Sequence, residues 1–144
     1  MNKVYDVLNK QVANWSVLYF KLHNFHWFVK GPKFFELHEA FEGLYNEAST
    51  HIDALAEQVL IKGGRPIATL KEMLAIASVD EANGKETAEE MVVAIKEDFL
   101  NLIEELKVGF AVVSEAKDET TAGLLLDIQN SLEKHVWMLN AYIN

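Results

Sequence analysis

Residues 34–61 read FFELHEAFEGLYNEASTHIDALAEQVLI, a proline-free run closed on one side by Lys30-Gly31-Pro32-Lys33 and on the other by Gly63-Gly64-Arg65-Pro66. Within it Leu37, Phe41, Leu44, Tyr45, Ala48, Ile52, Leu55, Ala56 and Val59 recur three and four positions apart. That is the spacing of one buried helix face, and the run is far too long for a strand. The flanking Gly-Pro pairs end it because Pro lacks the N–H and clashes with the preceding turn.

The same pattern extends outward in both directions. Upstream, Val4, Leu8, Val12, Trp15, Leu18, Tyr19, Leu22, Phe25 and Val29 mark a helix over about Val4 to Val29. Downstream, Thr69 and Glu72 have capping-box spacing and open a short segment to about Ala77. After a polar loop near Gly84, Thr87 with Glu90 opens a long run to about Ala116. Asp118-Glu119-Thr120-Thr121 interrupts it, and a last helix runs from about Ala122 to Tyr142. Four long helices joined by short breaks predict an all-α four-helix bundle, one domain over residues 1–144, with a short extra helix in the connection between the second and third. Only that connection is long enough to let those two helices run parallel.

Composition agrees. The chain has 144 residues, half of them apolar, with 7 Gly and 2 Pro, which favours long regular segments over a turn-rich β protein. Zero Cys excludes disulfides, thiolate metal sites and cysteine nucleophiles. A formal charge of -9 repels phosphate backbones and attracts cations. No apolar run reaches the roughly 20 residues of a membrane span, and the N-terminus has no signal-peptide core, so a cytoplasmic protein is expected.

The 34–61 run has an unusual charge pattern: Glu36, Glu39, Glu42, Glu47, Asp53 and Glu57, with His38 and His51, and no Lys or Arg. A solvated face ordinarily mixes both signs. At about 100° per residue with His38 at zero, the apolar stripe centres near -50°, Glu42 falls near 40°, Asp53 near 60° and Glu57 near 100°. Glu36 and Glu47 fall opposite the stripe and are expected in solvent. On the first helix His26 lies within the apolar stripe and His23 near its edge. Imidazoles with hard carboxylates and no sulfur suit iron, manganese or zinc. The competing reading makes each His a hydrogen-bonded core residue. For His23, His51 and His135, which show no partner pattern, that plainer reading stands.

Distance limits how these groups can combine. His38 and Asp53 are fifteen positions apart, about 22 Å along a helix, whereas metal–ligand bonds are about 2 Å. His38/Glu42 and Asp53/Glu57 of one chain therefore cannot share an ion. The chain also lacks the Glu-x-x-His spacing that builds a di-iron site inside a bundle. Two half-sites per chain predict a two-fold dimer in which one chain's histidines meet its partner's acids, twice by symmetry. Trp27 and Phe28 fall off the apolar stripe beside His26; they either mark that interface or pack under the Lys30–Phe35 turn.

The segments Leu22-His23-Asn24-Phe25-His26-Trp27-Phe28-Val29-Lys30-Gly31, Phe34-Phe35-Glu36-Leu37-His38, Asp53-Ala54-Leu55-Ala56-Glu57 and Lys134-His135-Val136-Trp137-Met138 resemble the Dps family of miniature ferritins. The resemblance covers nearly the whole chain. It implies a ferritin-like bundle that assembles as a hollow dodecamer. Such a shell oxidises Fe(II) with hydrogen peroxide, or more slowly dioxygen, and stores ferric mineral, protecting against oxidative damage. By position it implies that His26, His38 and Glu42 bind iron from one subunit, and Asp53 and Glu57 from its partner across a two-fold interface. Glu42 stands where the family commonly has Asp, one methylene shorter. Trp27 matches the family's aromatic beside the site. Glu39 is a candidate mineral-nucleating acid, and Asp118, Glu119 and Asp127 are candidate pore acids. The alternative within the family is a DNA-compacting structural protein. DNA binding there uses Lys-rich tails, which neither end of this chain offers, and twelve copies multiply a charge of -9, so little DNA affinity is expected.

Overall fold

The computed structural model describes residues 2–143. Five helices follow one another: α1 (Asn2–Phe28), α2 (Phe34–Ile61), α3 (Leu70–Ile76), α4 (Ala88–Glu115) and α5 (Glu119–Ile143); no strand occurs among the described residues. The architecture is the all-α, ferritin-like bundle predicted above, with α3 as the short helix between the second and third long ones.

Cross-helix contacts fix the directions. The Tyr5 hydroxyl donates to the Lys62 carbonyl, Trp15 meets His51, and His26 meets His38, so α1 and α2 are antiparallel. Lys21 pairs with Asp98 and Asn14 bonds Glu105, so α4 is also antiparallel to α1 and hence parallel to α2. Gln58 reaches Thr121 while Glu47 reaches Ser131, which sets α5 antiparallel to α2. The connection over residues 62–87 climbs the length of α1. Polar residues of α1 receive its backbone groups: the Ile67 N–H donates to Asn9 at 3.0 Å, Lys10 Nζ to the Ile76 carbonyl at 2.9 Å, and the Ser78 N–H to Asn14 at 2.7 Å. Trp15, Phe25, Phe41 and Phe99, with leucines of all four long helices, fill the core.

The helix starts explain themselves. Thr87 and Glu90 form a reciprocal capping box, the Glu90 N–H donating to the Thr87 hydroxyl and the Thr87 N–H to the Glu90 carboxylate. Thr69 caps α3 through the Glu72 N–H, while the Glu72 carboxylate accepts the Thr69 hydroxyl at 2.8 Å. The last helix begins at Glu119, three residues earlier than the sequence pattern suggests. Asp118 is the reason: its carboxylate accepts the Thr121 N–H at 3.1 Å and the Thr121 hydroxyl at 2.7 Å, serving as an N-cap.

At the turn after α2, a Cβ on Gly64 would lie 2.7 Å from the Tyr5 ring. That ring is tethered by its hydroxyl to the Lys62 carbonyl at 2.7 Å and cannot swing aside freely. Gly64→Ala should therefore cost about 1–3 kcal/mol as overpacking. A urea midpoint indistinguishable from wild type would contradict this.

Candidate metal centre

His26 sits in the last turn of α1 and His38 in the second turn of α2, brought together by the tight turn over residues 29–33. Their rings stack with centroids 3.6 Å apart and planes at 12°. Each Nδ1 faces the other residue's backbone carbonyl, His26 Nδ1 at 2.6 Å from the His38 oxygen and His38 Nδ1 at 2.7 Å from the His26 oxygen. A carbonyl only accepts, so each Nδ1 carries the proton and donates. Both Nε2 atoms are left with free lone pairs, the tautomer a metal requires. The His26 carbonyl belongs to the last turn of α1, where helix geometry leaves oxygens without intrahelical donors. The imidazole of His38 fills that vacancy.

Glu42 lies one turn beyond His38, its carboxylate 3.9 Å from His26 Nε2. His26 is buried, whereas the Glu42 side chain is half exposed, so this carboxylate can move toward a cation. Asp53 and Glu57 are exposed further along α2 and line a shallow groove with Tyr19, Ser49 and Thr50. They do not approach the histidines. Among the described residues no three His, Asp or Glu side chains converge as a metal-holding group. The chain thus gathers His26, His38 and Glu42 at one end of α2 and keeps Asp53 and Glu57 about 22 Å away by helix rise. Imidazole nitrogens with hard carboxylate oxygens fit a borderline divalent ion such as Fe(II).

Trp27 and Phe28 do not pack under the turn. They are 61% and 57% exposed and line an apolar groove of about 490 Å³ with Phe20, Leu70 and Leu74. An exposed apolar surface of this kind is what an interface would cover.

Two acids, Glu47 and Asp118, behave differently from their sequence reading. Glu47, expected in solvent, is half-buried between α2 and α5 and binds His51 at 3.0 Å, Ser131 at 2.7 Å and His135 at 2.9 Å. Burial pushes its carboxyl up, but hydrogen bonds from His135, His51 and Ser131 together pull it well below the usual carboxylate range. His51 and His135 do have a partner, and it is this shared carboxylate. Asp118, a candidate pore acid, is buried, capping α5 and pairing with Lys62 at 3.0 Å, whereas Glu119 and Asp127 are exposed. A carboxyl held low in the fold stabilises above its unfolded value of about 4.3 and loses that contribution as pH falls. Glu47→Gln should flatten the decline of unfolding free energy below about pH 5. Urea titrations at stepped pH check this, and an unchanged slope would exclude Glu47 as its source.

Two further features had little sequence signal. His23 Nδ1 donates to the Tyr19 carbonyl at 2.7 Å, and its ring stacks on Tyr45 at 3.6 Å. Burial and the nearby Glu42 carboxylate push the Tyr45 phenol up. The i+3 spacing from Glu42 to Tyr45 and from His23 to His26 was the only hint.

The sequence and the fold both recur in known proteins. A model of the ferritin-like domain matches residues 5–144. DNA protection during starvation protein 2 of Bacillus anthracis is 58% identical over 145 residues, covering 100% of this chain and 99% of that protein. Dps from Staphylococcus aureus superposes with a TM-score of 0.99 at 45% identity, covering 100% of this chain and 97% of that one. Dps from Listeria innocua, in a crystal soaked with zinc, superposes with a TM-score of 0.94 at 36% identity, covering 97% and 95%. The chain belongs to the ferritin-like domain family, and within it to the Dps proteins.

Proposed function

We propose that this protein is a cytoplasmic ferroxidase and iron store. Fe(II) is bound between two-fold related subunits of a dodecamer by His26, His38 and Glu42 of one chain and Asp53 and Glu57 of its partner. Electrons pass to hydrogen peroxide, or more slowly to dioxygen, and the ferric product is kept inside the shell. With peroxide the balance is 2 Fe(II) + H2O2 + 2 H+ → 2 Fe(III) + 2 H2O, which releases no hydroxyl radical.

One observation carries the reading: two imidazoles on the same chain have both Nδ1 atoms committed to backbone carbonyls and both Nε2 atoms free of hydrogen bonds, with the Glu42 carboxylate 3.9 Å from one of them. A core histidine pair has no need of two idle lone pairs. The neutral imidazoles hold Fe(II) without excess negative charge, and the carboxylates favour Fe(III) once it forms. Exposed Glu39 is suited to nucleating mineral. The net charge of -9 per chain argues against phosphate-backbone binding and for protection through iron chemistry.

The test is to substitute His26 and His38 together with Ala. Fast Fe(II) oxidation should fall by more than the roughly 10–100-fold typical of losing an outer partner of a metal site. The native mass should stay near twelve times that of one chain. Wild-type oxidation rates in that variant would remove these residues from the chemistry, and a monomer binding iron at full stoichiometry would overturn the shared site.

A further inference from the structure

We propose that Tyr45 and Tyr19 form an electron relay joining the two half-sites on one chain, so that two iron sites of a dimer serve one peroxide. The inference rests on the functional reading above. It starts from a mismatch: peroxide takes two electrons, and a site holding a single Fe(II) supplies one. With one Fe(II) in each site, the nearest second donor is the symmetry-related site, about 22 Å away along α2. Direct transfer falls off exponentially with distance, whereas several short steps do not suffer that loss.

The chain provides the steps. The His26 ring meets Tyr45 edge-on with centroids 5.3 Å apart at 85°. Tyr45 meets Tyr19 at 6.1 Å and 79°. Tyr19 in turn lines the groove that holds Asp53 and Glu57. A line of rings thus runs from the imidazole end of the chain to the wall of the groove that carries its carboxylate end. Since Asp53 and Glu57 complete the partner site, each chain spans both sites, and the two-fold supplies the path twice.

His23 fixes the geometry of both phenols. Its ring lies on the face of Tyr45 at 3.6 Å and 21°, its edge meets Tyr19 at 4.5 Å, and its Nδ1 is held by the Tyr19 carbonyl. Tyr19 and Tyr45 are themselves only half-buried, in contrast to the fully buried Phe25 and Phe41 nearby. A phenol gives up an electron far more readily than a phenyl ring, so hydroxyls at these two positions matter for more than packing.

The steps balance as follows. Peroxide takes one electron from Fe(II) at the imidazole end and one from Tyr45, whose phenolic proton passes to water. Tyr19 refills Tyr45, and Fe(II) at the carboxylate end refills Tyr19, each phenol regaining a proton. The sum is two Fe(II) oxidised and one H2O2 reduced, with two protons taken from solvent, to two waters, and both tyrosines restored.

The experiment uses the assembled protein loaded anaerobically with one Fe(II) per chain and given half an equivalent of peroxide per iron. Rapid-freeze electron paramagnetic resonance should show a transient tyrosyl radical in the wild type, with two irons oxidised per peroxide. In Tyr19→Phe/Tyr45→Phe, which keeps both rings, the signal should vanish. Iron oxidised per peroxide should fall toward one, and hydroxyl-radical spin adducts should rise several-fold. Co(II) titration, followed by its absorbance, should be the same in both proteins. A double variant that keeps the two-to-one ratio with no added spin adducts overturns the relay, as does a radical signal that survives the substitutions. Failure of the functional reading looks different: Co(II) binding would then be indifferent to His26→Ala/His38→Ala.

Discussion

Mixing two inactive variants should restore activity. A chain with His26→Ala/His38→Ala keeps its acids, and a chain with Asp53→Ala/Glu57→Ala keeps its histidines. Alone, each protein contains only broken sites if ligands are shared across a two-fold. When the two are unfolded together and reassembled at equal amounts, a mixed dimer has one site with both halves lost and one with both intact. Random pairing makes half the dimers mixed, so about a quarter of all sites become whole. Fast Fe(II) oxidation should therefore rise from near zero to roughly a quarter of the wild-type amplitude. Helix rise sets the requirement: about 22 Å separates the two proposed ligand pairs on α2, and no side chain closes that gap. A mixture as inactive as its components would place the ion within one chain or away from these residues.

The second large effect is on stability. Lys21 of α1 and Asp98 of α4 pair at 2.8 Å, with side chains only 7% and 14% exposed. Burial pushes the Asp98 carboxyl above its usual range even though Lys21 opposes the shift, so the attraction only partly offsets desolvation. Asp98→Ala strands the Lys21 ammonium in the bundle and should cost about 3–5 kcal/mol. Lys21→Met/Asp98→Leu removes both charges at similar volume and should recover most of that loss. Urea unfolding of the single and double variants decides it. A single variant costing under about 1 kcal/mol would mean that Lys21 escapes to water as a surface pair does. The sign with pH is also fixed: the raised carboxyl makes the pair costlier above its folded value and relieves that cost as pH falls through it.

The helices were legible because their signals are local. The Gly-Pro breaks at Gly31-Pro32 and Gly63–Pro66, and the Thr87/Glu90 box, mark boundaries without reference to the rest of the chain. A parallel α2 and α4 also followed, since only the 62–87 connection is long enough to cross the bundle. Glu47 was misplaced because a helical wheel with one apolar stripe assumes one neighbour. α2 packs against α1 and meets α5 on another side, where Glu47 finds Ser131 and His135. Asp118 reads as one more acid beside Glu119 and Asp127, although Asp118-x-x-Thr121 is also an N-cap spacing. The proximity of His26 and His38 could be anticipated from the short turn. Their exchange of hydrogen bonds could not, because its acceptors are backbone oxygens and every residue type carries one.

That last feature makes donor readiness a matter of helix length. The oxygen that orients His38 is open only because α1 stops at Phe28. Continuing the coil by one turn through Lys30 and Gly31 would hand the same atom to a main-chain N–H and set the ring adrift. Drift in the side chains around the pair leaves the oxygen untouched, whereas an insertion that postpones the Gly31-Pro32 stop would blunt the proposed site with both histidines still encoded.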